Sequence, residues 1–300
     1  MNISKKSGAK IRKTVTGYIF LLPVLIGLAL FTIWPLCKSF YYSFTEYDNI
    51  TPPVWVGLKN FAEMWRVPFF TKSVANTFIY AFVSVPLGLF CSFFLALALS
   101  VKLRGIKVFR ALFYLPVILP AVASGVLMTD LFSYTYGIYN RILMMLGLPR
   151  FGFFTSENTA MFSLILYSLW GMGSSMLIWL AGFRSVSETY YEVAKIEGGG
   201  SVWTLFHVTV PMTTPTIFYN LIMGIINSLQ VFTPVYVITS GGPNGATSTL
   251  AYLIYTYGLS YWEMGLASAM AWFLFVIIMI LTLLVFKTNK WVYYEGGNDK

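Results

Sequence analysis

Apolar and polar positions alternate along this chain in long blocks rather than at the period of a soluble helix or strand. Residues 15–37, 73–101, 111–129, 158–183 and 264–286 contain no Asp, Glu, Lys or Arg. A helix needs about 20 predominantly apolar residues to cross the hydrocarbon core. The 198–262 stretch is also free of those charges but is too long for one span, and Gly241-Gly242-Pro243-Asn244-Gly245 breaks it. The pattern predicts six spans, at about 15–37, 73–101, 108–132, 158–183, 212–237 and 264–286. They form a membrane domain over 15–288, with polar tails at 1–14 and 289–300. Pro23, Pro35, Pro86, Pro116, Pro120, Pro211, Pro215 and Pro234 lie in or beside spans and predict kinks.

Between the spans, 45–72 reads as a turn followed by a short helix with Phe61, Met64 and Trp65 on one face. Residues 136–149 read as an amphipathic helix carrying Ile138, Ile142, Met145 and Leu146 on one side. Residues 246–262, diluted by Tyr, Thr, Ser and Gly, read as a loop with a short helix. The most polar interruption is 192–211. Glu192, Lys195 and Glu197 precede Gly198, Gly199 and Gly200; an amphipathic piece with Val202, Trp203, Leu205 and Phe206 then runs to Pro211. This predicts a short helix, a flexible break and a second short helix.

Composition agrees with a polytopic membrane protein. The chain is 57% hydrophobic and 10% charged, with a mean hydropathy of +0.71, against roughly 25% charged residues in soluble domains. The net charge of +9 does not require nucleic acid, because the cations sit beside spans. Lys and Arg concentrate at 5–13, 102–110, 184–195 and 287–300, which places both termini and the 192–211 stretch in the cytoplasm. The basic N-terminus resembles the start of a signal peptide. Its apolar run is too long and no small-residue cleavage site follows it, so an uncleaved first span is expected. Cys37 and Cys91 are packing residues rather than a disulfide framework.

Candidate catalytic chemistry is sparse. His207 is the single histidine, no His/Cys/Asp cluster has metal spacing, and there is no GxxxxGK[ST] loop. No cofactor is expected. Asp130 alone approaches a span interior, at its outer end. The spans otherwise offer neutral groups such as Asn76, Thr77, Ser84, Ser124, Ser175, Asn220 and Thr233. A neutral, aromatic-rich cavity suits an uncharged, hydroxyl-rich solute. Energy for uphill movement would then enter from a partner rather than through an intramembrane proton or ion site.

At this point particular residues carry a resemblance. Glu192-Val193-Ala194, followed by Glu197-Gly198-Gly199 and by Trp203, Phe206 and Pro211, resembles the EAA signature of permease subunits of bacterial binding-protein-dependent ABC importers. The chain has Val193 where that pattern has Ala, Glu197 where it has Asp, and Gly199 where it has Ala. Val56-Gly57-Leu58-Lys59-Asn60-Phe61 and Thr239-Ser240-Gly241-Gly242-Pro243 are similar to the carbohydrate branch, with its maltose- and glycerol-3-phosphate-type members, and to the first permease of the usual pair. The resemblance implies an all-α integral membrane fold, the six-helix transmembrane domain of a type I ABC importer, with a cytoplasmic coupling helix at about 188–206. It implies a second permease subunit, two ABC ATPase subunits that hydrolyse ATP, an extracytoplasmic sugar-binding protein, a carbohydrate substrate and a bacterial cytoplasmic membrane. Glu188, Glu192, Ala194, Lys195, Glu197, Gly198, Trp203 and Phe206 are the expected coupling residues. The sugar-lining positions of the maltose type fall on Trp170, Gly171, Ser174, Gly224, Asn227, Ser228 and Val231, and Gln230 joins them on its chemistry. A same-superfamily permease for a non-sugar solute, and an ATPase-independent secondary transporter, remain as alternatives.

Overall fold

The computed structural model describes residues 18–293 except Ile19 and Lys102. Residues 1–17 and 294–300 lie outside the described residues, and with them the N-terminal tail and most of the C-terminal one. The chain forms two compact units. The first runs to Met64 and adds Tyr257–Trp272; the second comprises Trp65–Thr256 and the chain from Phe273 onward.

In the first unit, α1 (Phe20–Tyr42) is 23 residues long with a hydropathy of 2.3, and none of its most apolar window is buried. Such a surface demands cover from lipid or another subunit. The chain then makes a feature the pattern did not predict, an antiparallel pair of two-residue strands, β1 (Thr45–Glu46) and β2 (Val54–Trp55). The short helix α2 (Lys59–Glu63) is tied to β1 by Asn60, whose Nδ2 donates to the carbonyls of Ser43 and Thr45 at 3.0 and 2.8 Å. Lys59 bridges to Glu46 at 3.2 Å, and that hydrogen bond holds its ammonium above the ordinary lysine range.

The second unit is organised around α3 (Phe70–Leu99), 30 residues with Pro86 inside it. The remaining helices are α4 (Ile106–Ile118), α5 (Ala121–Leu131), α6 (Ile138–Met145), α7 (Glu157–Gly171), α8 (Gly173–Ser185), α9 (Glu188–Ile196), α10 (Ser201–Thr204), α11 (Thr214–Leu229) and α12 (Leu250–Tyr255). Helix α13 (Met264–Lys287) starts in the first unit and ends in the second. α3 packs on α7, α8 and α11. Toward its C-terminal end, Ala96, Leu99, Met176, Trp179 and Leu180 form one core, in which the Trp179 indole donates to Ser92 Oγ at 3.0 Å. Toward its N-terminal end, Asn76 donates to the carbonyls of Gly245 and Ser248, and Thr77 Oγ1 accepts from the amide of Leu250. These bonds satisfy backbone that the glycine-rich 241–248 turn would otherwise bury unpaired.

Three of the expected spans are single long helices, α1, α3 and α13. The others are broken. α4 and α5 bend by 100° where the 108–132 stretch predicts one helix. Leu119, just before Pro120, is extended at ψ 139°, the conformation a proline ring favours in its predecessor. α7 and α8 bend by 47° at Met172, between Gly171 and Gly173. α11 stops at Leu229 after 16 residues, about 24 Å at 1.5 Å per residue. A separate π-helical turn, Val235–Thr239, follows, so 212–237 is not one continuous helix. The short helices expected within 136–149 and 246–262 are present as α6 and α12.

Candidate functional site: a neutral cavity and a capped knob

Two places in the second unit gather the residues singled out by the sequence. The first is a cavity of about 420 Å³ between α3, the α7–α8 bend and α11. α3 contributes Tyr80, Ser84 and Gly88, spaced at i, i+4 and i+8 and so on one helix face. α11 contributes Asn220, Gly224, Asn227 and Ser228, again at one-face spacing. The bend contributes Ser168, Gly171, Met172, Ser174 and Ser175. Among the described residues, no Asp, Glu, Lys or Arg lines the cavity. The Asn227 amide makes no hydrogen bond among the described residues, while the Ser174 and Ser228 hydroxyls donate to the carbonyls of Gly171 and Ile225 at 3.4 and 3.1 Å. The wall therefore presents donors and acceptors without a fixed charge, which is the chemistry for recognising hydroxyls.

Of the expected lining residues, Gly171, Ser174, Gly224, Asn227 and Ser228 meet at this cavity. Trp170 lines a different one, of about 270 Å³, with Phe132, Tyr139 and Phe153. Gln230 is exposed just beyond α11, outside the lining. Val231, 8% exposed, packs in a core with Tyr80, Leu164 and Ile238. Sequence reasoning did not single out Tyr80, Gly88, Ser168, Tyr219 or Met223 as lining residues. The i, i+4, i+8 run of Tyr80, Ser84 and Gly88 was the available signal.

The second place is the polar interruption. Ser187 caps α9, its Oγ accepting from the Thr189 amide, with Glu188 in the first turn and Lys195 in the last, as the helix dipole favours. Glu188, Glu192 and Lys195 are spaced along one face. The glycine break is not a flexible joint but a formed C-cap. The Gly199 amide donates to Ala194 O at 2.8 Å, and the Gly198 amide to Lys195 O at 3.1 Å. Gly198 sits at φ +79°. This is the Schellman pattern, which needs a left-handed residue where Gly198 stands. A Cβ on Gly199 would lie 2.7 Å from the Trp203 ring and 2.8 Å from Ala194 O. Trp203 in turn stacks on His207 at 4.4 Å and 9°. Ala194 is buried beneath the cap, 4% exposed. Val193, Ile196, Val202, Trp203 and Phe206 are exposed, with Ile196 at 85%. Glu192, Lys195 and Glu197 are exposed among them. The knob is thus capped by backbone hydrogen bonds yet shows an apolar surface ringed by charge.

The sequence of residues 65–292, from the start of the second unit, matches the family described as binding-protein-dependent transport system inner membrane component. The chain belongs to that family. The permease is 38% identical to the probable ABC transporter permease protein YesP of Bacillus subtilis (strain 168), over 98% of this chain and 97% of that one. It is 30% identical to the trehalose/maltose transport system permease protein MalF of Thermococcus litoralis, over 97% of this chain and 99% of that one. Among solved structures, it shares the fold of a chain from a bacterial ABC transporter involved in the import of the acidic polysaccharide alginate. The TM-score is 0.84 at 22% identity, covering 96% of the permease and 100% of that chain.

Proposed function

We propose that this permease is a membrane subunit of an ATP-driven importer that moves a sugar or oligosaccharide delivered by an extracytoplasmic binding protein. The observation that carries the reading is the cavity, polar but without a charged side chain along its wall. The name of the Thermococcus relative, a trehalose/maltose permease at 30% identity, supports the same solute class. A neutral solute gains little from fixed charges and much from matched donors and acceptors in a dry site. Two ABC ATPases bind the knob of α9 and α10 from the cytoplasm, and Glu192, Lys195 and Glu197 orient it. A second permease completes the pore and covers apolar surface such as that of α1. The cation distribution supports placing both termini in the cytoplasm of a bacterial cell.

A second reading has a specific observation behind it: relatives at 29–30% identity are named sn-glycerol-3-phosphate transport permeases. A phosphate monoester would call for a cationic partner, and this cavity offers none along its lining. The neutral sugar is therefore preferred.

The experiment is to purify the binding protein that works with this permease and identify what it retains. That solute is then followed into proteoliposomes holding the complete transporter. A neutral mono- or oligosaccharide is expected, with uptake falling about tenfold in Asn227→Leu, the cost of one unmatched buried hydrogen bond. Retention of a solute that is not a saccharide would overturn the sugar assignment, and retention of a charged saccharide would overturn its neutrality.

A further inference from the structure

The first unit holds a cavity of its own, of about 510 Å³, between the β1–β2 loop, α2 and the start of α13. Four carboxylates line it, those of Glu46, Asp48, Glu63 and Glu263, against one ammonium, that of Lys59. Much of the negative charge is already engaged. Asp48 Oδ1 accepts from the amides of Ile50 and Thr51 at 3.0 and 2.7 Å, which fixes the loop. Glu46 and Glu63 share Lys59, at 3.2 and 3.9 Å. Glu263 differs from them: its side chain has neither an ion pair nor a hydrogen bond among the described residues. Partial loss of water, with the charge of Glu63 nearby, holds its carboxyl above the usual range. A buried neutral group adds to this wall. Asn60, 5% exposed, spends its Nδ2 on the carbonyls of Ser43 and Thr45, and its Oδ1 accepts nothing among the described residues. That oxygen is not sealed from solvent, and Asn60 lines the cavity. The frame is closely built. The Gly265 amide donates to Tyr47 O at 3.1 Å, and a Cβ on Gly265 would run into the Thr45 carbonyl.

We propose that this cavity is a docking socket: a lysine or arginine side chain of the sugar-binding protein enters it and pairs with Glu263 and Glu63, with Asn60 Oδ1 as a further acceptor. Open acceptors with surplus negative charge suit an ammonium or guanidinium and repel an anion. No group of three or more His, Cys, Asp and Glu side chains among the described residues is placed to hold a metal ion, so an organic cation meets the charge. Val54 and Trp262 in the lining, and Ile50 on the loop, are exposed; apolar and aromatic side chains of this kind accompany charged contacts where proteins dock. The socket lies at the ends of α1 and α13 away from the cations at 5–13 and 287–290, which puts it on the outer side of the membrane. A partner that must dock and leave gains from such a contact, because half-exposed charges steer the encounter without making the complex too tight. This inference rests on the importer reading of the preceding subsection.

The test measures, in proteoliposomes holding the complete transporter, the concentration of sugar-loaded binding protein that gives half-maximal uptake, at low and at physiological salt. Glu263→Gln and Glu63→Gln keep the shape and remove the charge. Each is expected to raise that concentration about fivefold at low salt, to flatten its dependence on salt, and to leave the rate at saturating binding protein unchanged. Replacing one lysine or arginine of the binding protein by alanine is expected to have the same effect, and to add nothing when combined with Glu263→Gln. Unchanged half-saturation in both glutamine variants, or losses that add fully with every such change in the binding protein, would overturn the socket, while wild-type uptake would still uphold the importer reading. Weakened pairing with the second permease in the glutamine variants would overturn it in favour of that subunit. A half-saturation that calcium chloride shifts in the wild type but not in Glu263→Gln, at constant ionic strength, would overturn it in favour of a free cation. If the wild type takes up solute without any binding protein, the importer reading fails and the socket with it.

Discussion

At the scale of single residues, the cavity depends on where side chains are missing as much as on where they are present. A Cβ on Gly88 would meet nothing within 4 Å, and Gly88 lines the polar cavity. Gly88→Leu therefore fits its helix, gains helix propensity and fills solute space. The expectation is a thermal midpoint no lower than wild type with sugar uptake reduced about tenfold or more; a wild-type uptake rate would remove Gly88 from the path. Gly88 and Tyr80 were hard to see in the sequence because their stripe is diluted in a 30-residue apolar helix. Ser174 and Asn227 were legible through the maltose-type resemblance. Trp170 and Val231 came from the same resemblance yet face elsewhere in this structure. Successive residues of a helix differ by about 100° in direction, and each lies beside a break that resets the rotation. At the knob, the glycine run was legible as an interruption. Its Schellman bonds were not, because they depend on which glycine takes the left-handed position.

At the scale of elements, proline content announced kinks without saying which would become breaks. Pro86 and Pro116 lie inside α3 and α4, whereas Pro120 separates α4 from α5 by 100°. The difference lies in Leu119, which leaves the helical region, and no local residue pattern marks that choice. The hairpin of β1 and β2 was missed for a related reason: two-residue strands carry no readable alternation. α3 holds its neighbours partly through the Trp179–Ser92 hydrogen bond, buried at both ends. Ser92→Ala and Trp179→Phe should each lower stability by about 1 kcal/mol or somewhat more, with the double variant costing clearly less than the sum. Thermal unfolding of the detergent-solubilised permease checks this. Strict additivity would mean that the bond contributes nothing beyond packing.

At the scale of the whole molecule, membrane character followed from charge-free runs, and the family from motifs scattered from Val56 to Pro243. The sidedness of the knob rests on the cation distribution. A single cysteine at Val202, in a variant with Cys37 and Cys91 replaced, should react with a membrane-impermeant maleimide only when the cytoplasmic face is open. One at Asn49 should react from the opposite face. The reverse pattern would invert the topology. Helix α1 is unburied along its most apolar window, and under the proposed function a second permease covers part of that surface. Under the proposed function, ATP turnover by partner subunits, received at the α9–α10 knob, drives a neutral sugar through the uncharged cavity. The most direct measurement of this is accumulation of the binding protein's sugar in proteoliposomes holding the complete transporter, with wild-type permease and with Gly199→Leu, whose side chain would drive Trp203 from the cap. Accumulation is expected to require both ATP and the binding protein, and to be lost in Gly199→Leu despite normal insertion and assembly with the second permease. Undiminished uptake in that variant, or uptake by the permease without the ATPases, would contradict it.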